Sequence, residues 1–191
     1  MGKNGEAFLL RNYAAPNAKF VQKDIVHFPW HNCGNTWMNG LSGKKVLVIS
    51  PFSESVRKQY DKRKQLFENE NNLPDFELIT FQALETQMGE NRGFKDWFEA
   101  YQYLEAKILQ IKFDVALVGC GAYGYPLTAA IKNSGRQAIE MCSSIQLLFG
   151  IKEKRWKKRE YVNQWWNEAW TYPLEVPPQY YTKIEEGAYW G

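Results

Sequence analysis

The sequence predicts an α/β fold: a Rossmann-like parallel sheet flanked by helices, with an irregular N-terminal arm and an aromatic C-terminal helix and tail. Three observations carry this. Short continuous apolar runs occur at Val46 to Ser50 and Phe113 to Val118, as expected of strands buried on both faces. Amphipathic stretches with helical spacing alternate with them, and that alternation specifies a parallel sheet. The loop Gly119-Cys-Gly-Ala-Tyr-Gly124 joins an apolar run directly to a helical one. The expected organisation is an arm over 1–42, the α/β domain over 43–150, and an aromatic extension over 151–191 that packs on the domain or on a partner.

Residues 1–42 carry Asn, Gly and Pro throughout and show little periodicity, with Phe28 to His31 as an anchoring patch. The first strand, Val46 to Ser50, leads through Pro51 to Ser55 into a helix over Val56 to Glu68, capped by Ser53 or Ser55. Asn69 to Pro74 closes that helix, and Phe76 to Phe81 is the second strand. After a loop over Met88 to Gly93 comes an amphipathic helix whose stripe is Trp97, Tyr101, Leu104 and Ile108, widened by Phe98 and Leu109. Phe113 to Val118 is the third strand. Pro126 suits the first turn of the next helix, and Gly135 suits its end. Arg136 to Met141 is a short fourth strand, and Ser143 or Ser144 caps a brief helix through Phe149. A longer helix is expected from Lys154 to Trp170, burying Val162, Trp165, Trp166 and Ala169. The end of the chain, with Pro173, Pro177 and Pro178, is extended.

Composition narrows the classes. The chain has 191 residues, a formal net charge of +3, and 45% apolar and 24% charged residues, which fits one ordinary folded domain. The basic run Lys152 to Arg159 is the only one, and the modest excess speaks against nucleic acid as a partner. Eight Trp, 11 Tyr and 11 Phe make the chain rich in aromatic rings, and Trp concentrates after residue 155. Such rings pack on the domain itself or form a surface for a second copy or a protein partner; carbohydrate stacking is the sharper alternative. Cys33, Cys120 and Cys142 form no CxxC pair and suit a reducing compartment. His27 and His31 are four apart but flank Pro29, so no metal site is expected there. No apolar window approaches the ~20 residues of a membrane span and no signal-like stretch opens the chain, so the expected location is cytoplasmic.

Ligands of parallel sheets collect beyond the carboxyl ends of the strands. Two loops qualify: Ser50 to Ser55, rich in hydroxyls, and Gly119 to Gly124, where backbone N–H groups and a helix start can approach an anion. Together they are candidates to cradle a diphosphate, with Ser53, Ser55, Gly119, Gly121, Tyr123 and Gly124 as binding residues. Gln146 opens a further segment in which Lys152, Lys154 and Arg155 are placed to neutralise an anion, or simply to keep the surface soluble above a packed Trp156. The G-x-G-x-x-G spacing matches the dinucleotide fingerprint but sits late in the chain, so an NAD(P)-dependent oxidoreductase is a fallback, and a turn that merely requires glycine is the plain alternative. Glu54 and Glu140 are the carboxylates nearest the cleft. Each is a candidate general base or metal ligand, or a helix cap or lysine partner.

From Lys44 to Trp156 the chain resembles a family of bacterial proteins from surface-polysaccharide gene clusters, and more distantly the GT-D glycosyltransferase fold. The residues that carry the resemblance are Leu41 to Phe52, Gln59-Tyr60, Leu73 to Leu78, Trp97 to Ala100, Phe113 to Pro126, and Gln146 to Trp156. It implies binding of a nucleotide-diphosphate sugar for polysaccharide or glycan biosynthesis, with Gly119, Gly121, Tyr123 and Gly124 at the diphosphate-holding positions. Related chains carry an upstream Arg-x-Gly-(Asp/Ser)-x-Glu motif that has no counterpart in residues 1–42. Ser50 stands where histidine is common, Met141 to Ser144 replace a glycine pair, and Glu153 stands where glycine is usual. A divalent metal is implied only if the chain is catalytic; otherwise it is a binding or assembly protein of a glycan pathway.

Overall fold

A computed structural model describes residues 3–31, 36–69, 72–87, 89–177 and 181–190. Cys33, Met88 and Pro178 lie outside these, as do parts of the arm around Gly34 and of the turn after Asn69.

The sheet has four parallel strands, β1 (Lys45–Ser50), β2 (Glu77–Gln82), β3 (Val115–Val118) and β4 (Gln137–Glu140), in the order β2-β1-β3-β4. The inner strands are the two continuous apolar runs: Val46 to Ile49 are fully buried and Val115 to Val118 nearly so. The edges β2 and β4 are only half-buried. Alternation along the inner strands divides the core. Val46, Val48, Val115 and Leu117 enter one layer; Leu47, Ile49, Ala116 and Val118 enter the other.

The described residues also form seven α-helices: α1 (Lys3–Tyr13), α2 (Lys23–His27), α3 (Ser53–Tyr60), α4 (Trp97–Gln110), α5 (Gly124–Asn133), α6 (Ser144–Leu148) and α7 (Glu160–Asn163). Val56 and Tyr60 of α3 pack on the first layer. Ala100, Leu104 and Ile108 of α4 and Leu127 and Ile131 of α5 pack on the second. Opposite faces are what right-handed crossovers require, since β1 to β2 and β3 to β4 run in opposite directions across the sheet. Asp96 caps α4 by accepting the Glu99 amide at 2.9 Å, and Gly135, at φ 84°, ends the turn after α5.

Several expectations are corrected. The described residues of the arm are more regular than expected: they carry α1, α2 and 3-10 turns at Pro29–His31 and Trp37–Leu41. Ala7, Leu9 and Leu10 are strong helix formers, and that local preference outweighs the scattered Gly and Asn. Phe28, Trp30, Met38 and Leu41 from this segment are buried in the α3-side layer. The helix expected to reach Glu68 stops at Tyr60, whose hydroxyl accepts the Phe76 amide at 2.7 Å and donates to the Phe76 carbonyl at 2.8 Å. The chain then turns so that Leu66 and Phe67 point into the core. In α4, Ala100 takes the buried position, while Trp97 and Tyr101 are half-buried and Phe98 is exposed. No helix runs from Lys154 to Trp170: a 3-10 turn at Lys154–Trp156 and α7 are all that form. A helix of that length would carry the chain ~24 Å, yet Ile151 and Thr171 pair side by side. The return brings Trp170 into the core, where its indole N–H donates to the Leu66 carbonyl at 2.7 Å. The aromatic extension thus packs on the domain itself. No described helix is long and apolar enough to cross a membrane.

Candidate functional site

With this strand order the chain leaves β1 and β3 in opposite directions, so a crevice opens between their carboxyl ends. A cavity of about 570 Å³ occupies it. All four strand ends contribute: Pro51 and Phe52 after β1, Glu85 and Thr86 after β2, Gly119 to Tyr123 after β3, and Glu140, Cys142 and Ser143 after β4. Trp97, Tyr125, Gln146, Arg155 and the C-terminal residues Ile184, Glu185, Tyr189 and Trp190 close the walls.

The glycine loop is shaped by contact. A side chain on Gly119 would put its Cβ 2.5 Å from both the Cys142 carbonyl oxygen and Ile145 Cγ2, so β3 can meet α6 this closely only with glycine there. Gly121 has φ +57° and starts the turn that swings Tyr123 inward. The Tyr123 ring stacks on Trp97 with centroids 5.1 Å apart and planes 2° apart, and its hydroxyl is hydrogen-bonded to Thr86 Oγ1. Trp97 also stacks on Tyr101, so the ring stack continues behind the cleft wall.

Glu140 does not point freely into solvent. Its Oε2 accepts the Cys142 amide at 2.9 Å and lies 2.9 Å from Cys142 Sγ. A Cβ on Gly124 would come within 2.5 Å of Glu140 Oε1, so the carboxylate rests against the first residue of α5. Desolvation raises the Glu140 pKa, outweighing the bonds from Cys142. The same neighbourhood suppresses the thiols: desolvation and Glu140 push Cys120 and Cys142 up to about 12, so neither is a thiolate at neutral pH. Burial also raises Glu85, against the pull of Arg92.

Gln146 is buried at 1% exposure. Its Nε2 donates to the Tyr189 carbonyl at 3.2 Å, and its Oε1 has no hydrogen-bond partner. Arg155 is held from behind. Its Nε donates to Glu153 Oε2 at 2.6 Å and its Nη2 lies at the same distance, while its guanidinium covers the Tyr189 ring at 4.5 Å. Glu153 is fully buried, and desolvation pushes its pKa up to about 8 despite Arg155.

Of the residues expected at a ligand site, Gly119, Gly121, Tyr123, Glu140, Gln146 and Arg155 meet in this cleft. Gly124 lies just behind it, against Glu140. The others are elsewhere. Ser53 and Ser55 do not cap α3; both are buried within its first turn, and the Ser55 hydroxyl donates to the Glu175 carboxylate. Glu54 forms an ion pair with Lys58 at 3.1 Å on the exposed side of α3. Lys152 sits over the rings of Trp166 and Tyr172. Pro51 and Phe52 of the hydroxyl-rich loop thus line the cleft, while the Ser55 hydroxyl is bound to the chain's own tail.

The residues missed by sequence reasoning are Glu85, Thr86, Glu185, Tyr189 and Trp190. The first two follow β2, and the strand-end rule pointed to them as directly as to the two loops chosen. Nothing local marks the other three.

Among the described residues, no three His, Cys, Asp or Glu side chains gather where they would hold a metal ion. Glu140 is turned to Cys142, and Glu54 pairs with Lys58 away from the cleft. His31 lies between the rings of Phe28 and Trp165, stacked on both at 5.5 Å, and burial lowers its pKa.

Fold and site together define a parallel α/β protein with a cleft at the switch point of its sheet. No family model, curated protein or solved structure matched the chain.

Proposed function

We propose that the chain is a glycosyltransferase-like protein that binds a nucleotide-diphosphate sugar in the switch-point cleft, in polysaccharide or glycan biosynthesis. The observation that carries this is the pairing of ring surfaces with carboxylates at four converging strand ends. Aromatic walls suit a planar base or the apolar face of a sugar. Glu85 and Glu140 suit hydroxyl donors of a ribose or hexose, and the unpartnered Gln146 oxygen suits one more. The volume falls in the range of roughly 300–1,000 Å³ usual for small-molecule sites. The resemblance of Lys44 to Trp156 to the GT-D group points the same way. Of the two proposed catalytic carboxylates, Glu140 alone is within reach of a ligand in the cleft. Burial raises its pKa, the direction expected of a carboxyl that exchanges a proton with a ligand hydroxyl.

The test is a thermal-shift panel of UDP, UDP-sugars, uridine, NAD(H) and NADP(H). A nucleotide sugar at a hundredfold its Kd should raise Tm by roughly 5 °C or more for a chain of this size. A flat response to every nucleotide and nucleotide sugar refutes the proposal, and a response to NAD(P)(H) alone transfers the cleft to an oxidoreductase.

A second reading, an assembly protein, is favoured by one observation. Tyr13, Phe20 and Val21 in the N-terminal segment are 74%, 71% and 65% exposed. If they form a contact with a second copy, sedimentation velocity will show a dimer that Phe20→Ser with Val21→Ser dissociates; a monomer at all concentrations excludes that contact.

A further inference from the structure

We infer that the anionic end of the ligand is held not by the glycine loop but in a separate basic pocket that opens beside the cleft, and that this pocket is a phosphate or diphosphate subsite. The inference rests on the reading of the cleft as the ring site.

The two anion positions expected at the strand ends are already filled by the chain's own carboxylates. Glu175 Oε1 accepts the amides of Glu54 and Ser55, at 2.8 and 3.0 Å, at the start of α3. Glu140 stands against Gly124, the first residue of α5, and accepts the Cys142 amide just after β4. A diphosphate arriving at either would meet a negative charge, where it needs donors. The cleft is acidic: Glu85, Glu140 and Glu185 face it, with Arg155 as the only Lys, Arg or His among its described lining residues.

The neighbouring pocket has the opposite character. Its volume is about 440 Å³, and Lys154, Arg155, Lys157 and Lys158 line it against Glu185 and Glu186. Arg155 and Glu185 belong to both cavities, so they form the wall between them. Arg155 is fixed on the Glu153 side, while Nη1 reaches Glu185 only at 3.4 Å, an exposed contact that a phosphate oxygen can replace. Lys157 and Lys158 are exposed and form no ion pair among the described residues. A ligand with a ring in the cleft and phosphates across Arg155 would match both chambers, with acceptors facing cations and hydroxyls facing carboxylates.

The test uses calorimetric titration of the full chain with uridine, inorganic pyrophosphate and UDP, in wild type and in the double variant Lys157→Ala, Lys158→Ala. Both lysines are exposed, so the variant keeps the fold; circular dichroism verifies this. Lys112→Ala with Lys132→Ala, exposed residues at the far end of the sheet, controls for loss of net charge. Expected are pyrophosphate binding to the wild type, a loss of about tenfold or more in UDP affinity in the pocket variant, and unchanged uridine binding. The control variant should bind UDP as the wild type does. UDP binding that is equal in wild type and pocket variant, or lost equally in the control, overturns the subsite and leaves the cleft reading intact. Pyrophosphate binding that needs Lys157 and Lys158, with no uridine or UDP binding, overturns the cleft reading and keeps the basic pocket as an anion site. No binding of any of the three overturns both.

Discussion

Glu175 reaches back to Ser55 across the surface and occupies the start of α3 as a built-in anion. It accepts the Ser55 hydroxyl and amide and the Glu54 amide, while the Ser55 hydroxyl oxygen accepts the Leu174 amide at 2.9 Å. One carboxylate thereby satisfies helix donors that no capping side chain serves, and it ties the C-terminal segment to the loop after β1. Removing its charge should loosen both. Glu175→Gln is expected to cost about 1 kcal/mol in urea unfolding and to speed proteolysis between 172 and 177. An unchanged midpoint and unchanged cleavage would show that the contact contributes nothing in solution.

The two first glycines of the β3–α5 loop should respond differently to alanine. At Gly119 the new Cβ collides with backbone and with a packed Ile145, so Gly119→Ala should destabilise by about 2 kcal/mol and distort the cleft. At Gly121 there is open space, and only the positive φ is unfavourable, so Gly121→Ala should cost about 1 kcal/mol. Denaturant midpoints of the two variants decide this. Equal effects, or a larger one at Gly121, would contradict the close approach of β3 to α6.

Much of this was legible along the chain, for identifiable reasons. Val46 to Ile49 and Val115 to Val118 announce inner strands because both faces are buried, so no polar residue interrupts them. The Gly119 to Gly124 loop announces a strand end because a cluster of glycines directly follows an apolar run, although only the positive φ of Gly121 is a local constraint. Tyr189 and Glu185 could not be found this way. They reach the cleft through contacts such as Gln146 to Tyr189 and Arg155 to Glu185, which depend on where the tail folds back. The same return misled the expectation at Lys154 to Trp170, where helical spacing was plausible but the Ile151–Thr171 pairing forbids a long helix. Ser55 looked like an anion ligand until Glu175, 120 residues away, turned out to hold it.

Glu153 gives the fold a pH dependence of unusual sign for a carboxylate. Its folded pKa, pushed up to about 8, lies above the ordinary 4.5, so the folded state retains a proton that the unfolded chain loses. This contribution to stability is therefore fully present below the ordinary value and is lost as pH rises toward about 8, with a slope no steeper than about 1.4 kcal/mol per pH unit. Glu153→Gln should flatten the fall between these limits when unfolding free energy is measured across them. A wild-type profile that rises over this window, with no difference from the variant, would contradict the burial of an ionisable group there.

The central claim is that the cleft between the ends of β1 and β3 receives the ring end of a nucleotide sugar. A crystal structure of the chain soaked or grown with UDP or a UDP-sugar tests it most directly. The expected density has its base or sugar beside Tyr123 and Gln146, with the phosphates passing Arg155. Density at full occupancy anywhere else on the molecule, or a cleft that remains free of ligand at saturating concentration, would contradict it.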